Sequence, residues 1–159
     1  MDRHRMVVDT SAWIEWLTRS DLGLWIDVIL PSPEHCIMPS IVLVELLRWA
    51  RRELVPNAYE RVIAMSEQCH VETLDQELAL FTDEVYARHR LPLADSIIYA
   101  CARRHRVQVL TCDAHFEPLP FVQFQRKIGP RSQTMAREPV GAWSTRRAMR
   151  SEAGSSYLA

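Results

Sequence analysis

The sequence has 159 residues, of which 48% are hydrophobic and 25% charged, a composition typical of one globular domain that needs neither disulfides nor a structural metal to form its core. Its apolar runs are too short to span a bilayer and its N-terminus does not resemble a secretory signal, so we expect a cytoplasmic protein that does not associate with membranes. Residues 1–125 carry 12 basic and 18 acidic side chains, against 7 and 2 in residues 126–159, and such an acidic body argues against simple electrostatic adhesion to nucleic acid.

Short apolar segments alternate with amphipathic segments along the chain. Strands are predicted at residues 6–8, 35–38, 71–74, 107–111 and 121–125, the last of them at a sheet edge. Helices are predicted at residues 12–18, 21–30, 41–53, 56–68, 75–89 and 93–104, with Thr10 or Ser11 capping the first and Ser40 the third. This alternation predicts an α/β sandwich with a central, mostly parallel sheet flanked by helices.

The composition changes after residue 128. Residues 129–159 contain three of the four glycines, five serines and two prolines, without a long apolar pattern. We therefore predict a globular domain over residues 1–128 and a flexible basic tail over residues 129–159, in which residues 143–150 could form a short helix.

The four cysteines, at positions 36, 69, 101 and 112, include no C-x-x-C pair. We interpret them as reduced thiols that pack as small apolar groups. Cys36 and Cys69 each adjoin a histidine, and Cys112 precedes His115 by three residues, but the paired spacing of a zinc site is missing.

Four acidic residues have unusually apolar neighbours. Asp9 and Asp113 stand at or just past the ends of predicted strands, while Glu45 and Asp95 lie in largely apolar helices. Buried carboxylates need partners, and the carboxyl ends of parallel strands are where ligands gather, so we expect the four to converge. Mutual repulsion would raise their pKa values, and a divalent cation would relieve it. Oxygen ligands favour Mg²⁺ or Mn²⁺.

Each acid also has a structural explanation that stays open. Asp9 and Asp113 could cap the turns that follow them, and Asp95 could bond the backbone near the start of its helix. Glu45 lies in the middle of a helix, so its alternative is an internal ion pair with an arginine such as Arg48 or Arg103.

The four acids and their neighbours, in this order, resemble the PIN-domain family and, within it, the VapC-type toxins of bacterial toxin–antitoxin pairs. The matching segments are VVDTSAWI (7–14), PSIVLVEL (39–46), HRLPLADSII (89–98) and VLTCDAHF (109–116). The likeness extends over about residues 6–125 and does not account for the tail.

This resemblance implies a three-layer α/β sandwich and a Mg²⁺- or Mn²⁺-dependent endoribonuclease that hydrolyses RNA with metal-activated water. It implies that the metal-coordinating and catalytic acids are Asp9, Glu45, Asp95 and Asp113. It implies supporting hydroxyl groups at Thr10, Ser11 and Thr111. Whether one ion or two would bind stays open.

The resemblance also implies partners: an RNA substrate, a cognate antitoxin that reaches across the pocket with a basic side chain, and a second copy in a homodimer. Trp13, Trp16 and Trp25 could contribute to the dimer or could be core residues. Arginine clusters at residues 48–52, 88–90 and 103–106 could hold RNA phosphates or could be solvated helix ends. The identity of the RNA stays open between transfer, ribosomal and messenger RNA.

Other functions fit less well. A haloacid-dehalogenase-type phosphatase would have a second acid where Ser11 stands, and a receiver domain would need paired acids near the first strand and a distal lysine, whereas the only lysine is Lys127. Helix-turn-helix DNA binding would need a basic recognition face, which the helices of the body lack. The remaining alternative is a catalytically silent PIN-like binding scaffold, which the presence of all four acids makes less favoured.

Overall fold

The computed structural model describes residues 5–127, so the predicted tail at 129–159 and its short helix lie outside the described residues. The strands are β1 (Met6–Val8), β2 (Cys36–Pro39), β3 (His70–Glu72), β4 (Gln108–Thr111) and β5 (Val122–Phe124). The helices are α1 (Thr10–Thr18), α2 (Asp21–Ile29), α3 (Ser40–Arg52), α4 (Ala58–Ser66), α5 (Gln76–His89) and α6 (Leu93–His105). Single 3₁₀ turns cover Pro33–His35 and Ala114–Phe116.

The five strands form one sheet in the order β3-β2-β1-β4-β5, and every neighbouring pair is parallel. The predicted α/β sandwich with a central parallel sheet is therefore confirmed, and β5 is an edge strand as expected. The chain adds β2 and β3 on one side of β1 and then crosses to add β4 on the other. The order thus reverses between β1 and β4, and in open parallel sheets the crevice at such a reversal is where ligands bind.

Strands β1, β2 and β4 are largely buried because helices cover the middle of the sheet, which explains their mostly apolar sequences, whereas the edge strands β3 and β5 are more exposed. Helix α6 contacts β1, β2 and β4 and packs against α5, and all residues from Ser96 to Ala102 in it are buried. Helices α1 and α2 pair with each other, as do α3 and α4. A β-carbon at Gly23 would lie 1.9 Å from the Glu15 carbonyl oxygen, so the close approach of α1 and α2 requires glycine there.

Two predicted helix caps are wrong. Helix α1 is capped by Asp9, whose side chain accepts a hydrogen bond from the Ser11 backbone, and Thr10 and Ser11 lie within the helix. Helix α3 begins at Ser40 itself, after Pro39, and has no side-chain cap. Strand β3 also begins one residue earlier than predicted, at His70, because it pairs with β2 from Ile37 onward.

The tryptophans divide between the core and the surface. Trp13 is 1% exposed and packs edge-on against Trp16, so its proposed contribution to a dimer contact is wrong. Trp25 on α2 is 55% exposed, and its apolar neighbours Leu24 (53%) and Val28 (76%) are exposed as well. All four cysteines are free thiols, and three of them are buried. Within residues 5–127, no helix is both long enough and apolar enough to cross a bilayer.

Candidate functional site

Asp9 lies at the carboxyl end of β1 and is 4% exposed. Its Oδ2 atom accepts hydrogen bonds from the Ser11 hydroxyl, from the Ser11 backbone (3.2 Å) and from the Thr111 hydroxyl (2.9 Å). Burial raises the pKa of the Asp9 carboxyl, and the bonds from Ser11 and Thr111 oppose that rise without cancelling it. Asp9 therefore caps α1 and also faces the pocket described below.

Two hydroxyl groups fasten the end of β1 to the end of β4. Ser11 Oγ accepts the backbone N–H of Cys112 (2.9 Å), and Thr111 Oγ1 accepts the backbone N–H of Asp113 (2.9 Å). Each hydroxyl also donates its own hydrogen to Asp9, so each acts both as a donor and as an acceptor. Asp9 and the chain leading to Asp113 are consequently held in a fixed relation across the reversal point of the sheet.

Glu45 projects from the second turn of α3, where it is half-buried. Its Oε2 atom accepts a 2.5 Å hydrogen bond from the Thr10 hydroxyl at the start of α1. The ion pair with an arginine that was considered from the sequence is not formed: within residues 5–127, Glu45 has no salt bridge. The Arg103 guanidinium instead lies 4.4 Å from the centre of the Phe121 ring. Thr10 therefore fixes Glu45 beside the carboxyl end of β1.

Asp95 and Asp113 form a third group together with His115. Asp95 lies in the first turn of α6, and Asp113 caps the 3₁₀ turn by accepting the His115 backbone N–H at 2.9 Å. His115 Nδ1 lies 3.1 Å from Asp95 Oδ2 and 3.2 Å from Asp113 Oδ1, between the two carboxylates. Burial, followed by the charges of Asp113 and Asp9, raises the pKa of Asp95 to about 6, against the opposing effect of His115.

One open pocket contains all four predicted acids. Its wall includes one face of α3, on which Glu45, Arg48, Trp49 and Arg52 follow one another at helical spacing. The complete lining is Asp9, Thr10, Ser11, Ile14, Glu45, Arg48, Trp49, Arg52, Asp95, Asp113 and Lys127. Of the supporting hydroxyls, Thr10 and Ser11 line the pocket, while Thr111 is buried behind Asp9.

The donor set of this pocket fits a hard divalent cation. Carboxylate oxygens are the ligands that Mg²⁺ and Mn²⁺ prefer, and the pocket offers several of them next to one another. Burial raises the pKa of Asp9, and burial together with the charges of Asp113 and Asp9 raises the pKa of Asp95, so a cation in the pocket would stabilise the charged form of both side chains. Asp95, Asp113 and His115 each place a possible ligand atom within 4.8 Å of the others.

The structure adds residues that were not assigned to the acidic site from the sequence, where His115 was considered only as a possible zinc ligand near Cys112. His115 contacts two of the acids, and the signal that could have revealed it is its position two residues after Asp113. Lys127 Nζ lies 3.0 Å from Glu15 Oε1, and Lys127 lines the pocket. Its position in the sequence, far from Glu15, does not predict this contact. Of the arginine clusters, only the first contributes to the pocket, through Arg48 and Arg52.

Comparison with known proteins gives a consistent result. The family model for the PIN domain matches residues 6–122. A toxin–antitoxin complex from Klebsiella pneumoniae is similar in structure, with a TM-score of 0.68, 19% identity, and coverage of 77% of this chain and 99% of that chain. VapC20 from Mycobacterium tuberculosis, described as a sarcin–ricin loop cleaving toxin, has a TM-score of 0.64, 21% identity, and coverage of 76% and 98%. DNA-bound VapBC from Salmonella typhimurium has a TM-score of 0.56, 20% identity, and coverage of 77% and 97%. No curated protein sequence matches the chain significantly.

Proposed function

The chain belongs to the PIN-domain family, and we propose that it is a Mg²⁺- or Mn²⁺-dependent endoribonuclease that acts in the cytoplasm as the toxin of a toxin–antitoxin pair. The observation that carries this proposal is the convergence of Asp9, Glu45, Asp95 and Asp113 on one open pocket at the reversal point of the parallel sheet. Basic side chains border the same pocket, so acidic and phosphate-binding groups stand side by side there.

Asp9, Glu45, Asp95 and Asp113 are the residues that would hold the cation. When bound, a divalent cation supplies Lewis-acid stabilisation of the scissile phosphate and lowers the pKa of the attacking water. The hydroxyls of Ser11 and Thr111 keep the Asp9 carboxylate from rotating, and Thr10 does the same for Glu45. Such orientation by neighbouring groups matters because loss of an outer partner commonly lowers metal affinity or activity by about 10- to 100-fold.

Arg48 and Arg52 have a different task. They lie one and two turns beyond Glu45 on the same face of α3, so the phosphates of an RNA strand lying along that face would meet a guanidinium beside the acids. Their charge also offsets the repulsion between the acidic pocket and the polyanionic substrate. Reversing both charges should weaken RNA binding and reduce its dependence on salt concentration.

The partner proposal concerns a cognate antitoxin and a second copy of the chain. Several structurally similar proteins were solved as toxin–antitoxin complexes, as the Klebsiella pneumoniae and Salmonella typhimurium examples show. In this chain α2 exposes Leu24, Trp25 and Val28 next to one another, which is an apolar surface that a partner could cover. The acidic pocket would accept a basic side chain of the antitoxin as an inhibitor.

The decisive experiment is cleavage of a labelled total-RNA pool by purified protein in Mg²⁺, in Mn²⁺ and in EDTA. Asp9→Asn is the inactivating variant of choice, because asparagine caps helices as well as aspartate does and should leave α1 intact. Asp83→Asn, at an exposed position of α5, is the matched control. We expect discrete products that require metal, persist with Asp83→Asn and vanish with Asp9→Asn.

Two other outcomes are informative. If the protein binds metal but cleaves no RNA under conditions in which the control variant is folded, the catalytically silent PIN-like scaffold is favoured. Absence of both metal binding and cleavage would contradict the nuclease proposal altogether. The partner proposal is tested by co-expression with the product of the neighbouring reading frame, where Val28→Asp should prevent co-purification and Asp83→Asn should not.

A further inference from the structure

A second group of possible metal ligands lies away from the acidic pocket. His70 and Glu72 lie on β3, two residues apart and therefore on the same side of the strand, and His105 is the last residue of α6. Asp95, at the other end of α6, is ten residues away, which corresponds to about 15 Å along the helix axis. The group is therefore distinct from the pocket formed by the four acids.

The atoms of this group are arranged around a common point. Glu72 Oε2 lies 3.1 Å from His70 Nε2 and 3.1 Å from His105 Nε2, and the three atoms all lie within 4.8 Å of one another. In a tetrahedral zinc site with bonds of about 2.0–2.1 Å, neighbouring ligand atoms are about 3.3 Å apart. Little side-chain movement is thus needed to place the three atoms around one ion.

Hydrogen bonding within the protein accounts for only part of the group. His70 Nε2 forms a 3.1 Å hydrogen bond with Glu72 Oε2. His105 Nε2 is buried and has no hydrogen-bond partner among the described residues, although it lies 3.1 Å from Glu72 Oε2. A buried polar nitrogen without a partner is unfavourable and calls for an explanation. The lone pair of a neutral imidazole bound to a cation would provide one.

Glu72 is prepared for such a role. Its side chain is 8% exposed, and its Oε1 atom is bonded by the Arg104 guanidinium, which leaves Oε2 facing the two histidines. Arg104 also pairs with Asp75 at 2.9 Å. With neutral histidines, the charges of Glu72, Asp75 and Arg104 sum to −1, so a bound dication would leave the group with a net charge of +1 rather than +2.

We propose that His70, Glu72 and His105 bind a Zn²⁺-class transition-metal ion at a site separate from the acidic pocket. Two imidazoles and one carboxylate favour zinc or a similar ion over Mg²⁺, which prefers oxygen ligands. His70 is half exposed, so the ion has a path from solvent and its fourth position is open to water. The ion joins the edge strand β3 to the end of α6, and its binding stabilises the folded chain.

The test is zinc binding by the full chain, measured by competition with a coloured chelator. The measurement is made in an Asp95→Asn, Asp113→Asn background, so that the acidic pocket does not contribute. We expect about one zinc ion per chain. His70→Gln and His105→Gln should each lower the zinc affinity by more than about 100-fold, because loss of an outer-shell partner alone can lower metal affinity by up to about 100-fold. His35→Gln, at another partly exposed histidine, is the matched control and should retain full affinity.

A second readout separates a ligand from a merely structural histidine. Co²⁺ bound by the three side chains and water should give the intense visible absorption of a tetrahedral site, and His70→Gln should abolish it while the far-ultraviolet circular dichroism stays unchanged. His70 is chosen because its exposure makes a folding defect improbable, whereas His105 is mostly buried. Equal zinc affinity in His70→Gln and His35→Gln, or a Co²⁺ spectrum that His70→Gln leaves intact, would overturn the proposal. Mg²⁺-dependent RNA cleavage by His70→Gln is expected to match that of the unmodified protein.

Discussion

Replacing Asp95 with asparagine tests whether burial and the neighbouring acids disfavour the charged form of Asp95 in the absence of a cation. Burial and the charges of Asp113 and Asp9 raise the pKa of Asp95 from 3.8 to about 6, and its side chain is only 14% exposed. A shift of this size corresponds to about 3 kcal/mol in favour of the protonated form. Because the folded state holds this proton more tightly than the unfolded state, the stabilisation is complete below pH 3.8 and is lost as the pH rises through 6.

Asp95→Asn removes the charge while it keeps the shape of the side chain. In EDTA at pH 8 we expect the variant to be more stable than the unmodified protein by about 1–3 kcal/mol, the lower value allowing for movement of the carboxylate towards solvent. At pH 4.5 most Asp95 side chains in the folded protein are protonated, so the difference should fall to less than about half of its value at pH 8. The assay is urea denaturation at a series of pH values.

Asp83→Asn is the control, since it removes an exposed charge from α5 and should change the free energy of unfolding by less than about 0.5 kcal/mol at either pH. Adding Mg²⁺ should remove most of this difference or reverse it. At a concentration 100 times its dissociation constant, the ion would stabilise the unmodified protein by about 2.7 kcal/mol, and Asp95→Asn should gain much less. If Asp95→Asn is no more stable than the unmodified protein in EDTA at pH 8, burial and the neighbouring acids do not disfavour the charged form of Asp95 and the reasoning is wrong.

Three further substitutions probe the supports of the site and the fold. Thr10→Val keeps the branched shape but removes the hydrogen bond to Glu45, so Mn²⁺ affinity measured by titration should fall by about 10-fold, and an unchanged affinity would contradict the positioning role. Ser11→Ala leaves Asp9 and a backbone N–H short of a partner, and the free energy of unfolding in urea should drop by about 1–3 kcal/mol. Gly23→Ala forces a methyl group into a carbonyl of α1 and should cost about 3 kcal/mol or more by thermal denaturation, whereas Ala at the exposed neighbour Leu24 should cost under about 0.5 kcal/mol.

The parts of the fold that follow from local pattern were predictable from the sequence. Strands β1 (MVV) and β4 (QVLT) belong to short, mostly apolar segments that are too short for helices, and the helices show apolar residues at helical spacing. The order of the strands was not predictable in this way. It depends on pairings such as Val8↔Leu110, which join residues about a hundred positions apart and depend on the packing of the whole sheet.

The same distinction applies to the site. The four acids stood out because a carboxylate in apolar surroundings needs a reason, and the structure places all of them in one pocket. His115 was noted only for its spacing from Cys112 and was not connected with the acids, because its contact with Asp95 joins residues that are 20 positions apart. The group of His70, Glu72 and His105 was equally hidden, since its members come together only through the contact between β3 and the end of α6. Patterns within one element reveal single residues, whereas a ligand set assembled from two elements becomes visible only in the fold.

The structural and functional explanations of the acids turn out to be compatible. Asp9 caps α1, Asp113 caps the 3₁₀ turn, and Asp95 lies in the first turn of α6. The N-terminus of a helix carries partial positive charge, which stabilises a nearby carboxylate by about 0.3–1 kcal/mol. Three of the four acids therefore receive some compensation from backbone dipoles, and Glu45, which lies within a helix, receives a hydroxyl from Thr10 instead.

This compensation has a consequence for folding. Backbone dipoles and hydroxyl groups offset part of the cost of burying these charges, so the chain can fold before a cation binds. The pKa of Asp9 is still raised by burial, and that of Asp95 by burial and by the charges of Asp113 and Asp9, so the cost is not cancelled. The remaining cost is the part that a cation can relieve, and it sets how strongly binding is coupled to stability. A pocket that was neutralised completely by its own caps would have little affinity for a metal ion. Caps placed at the ends of β1 and β4 would thus allow one set of carboxylates to begin the helices and also to hold the cation that we propose.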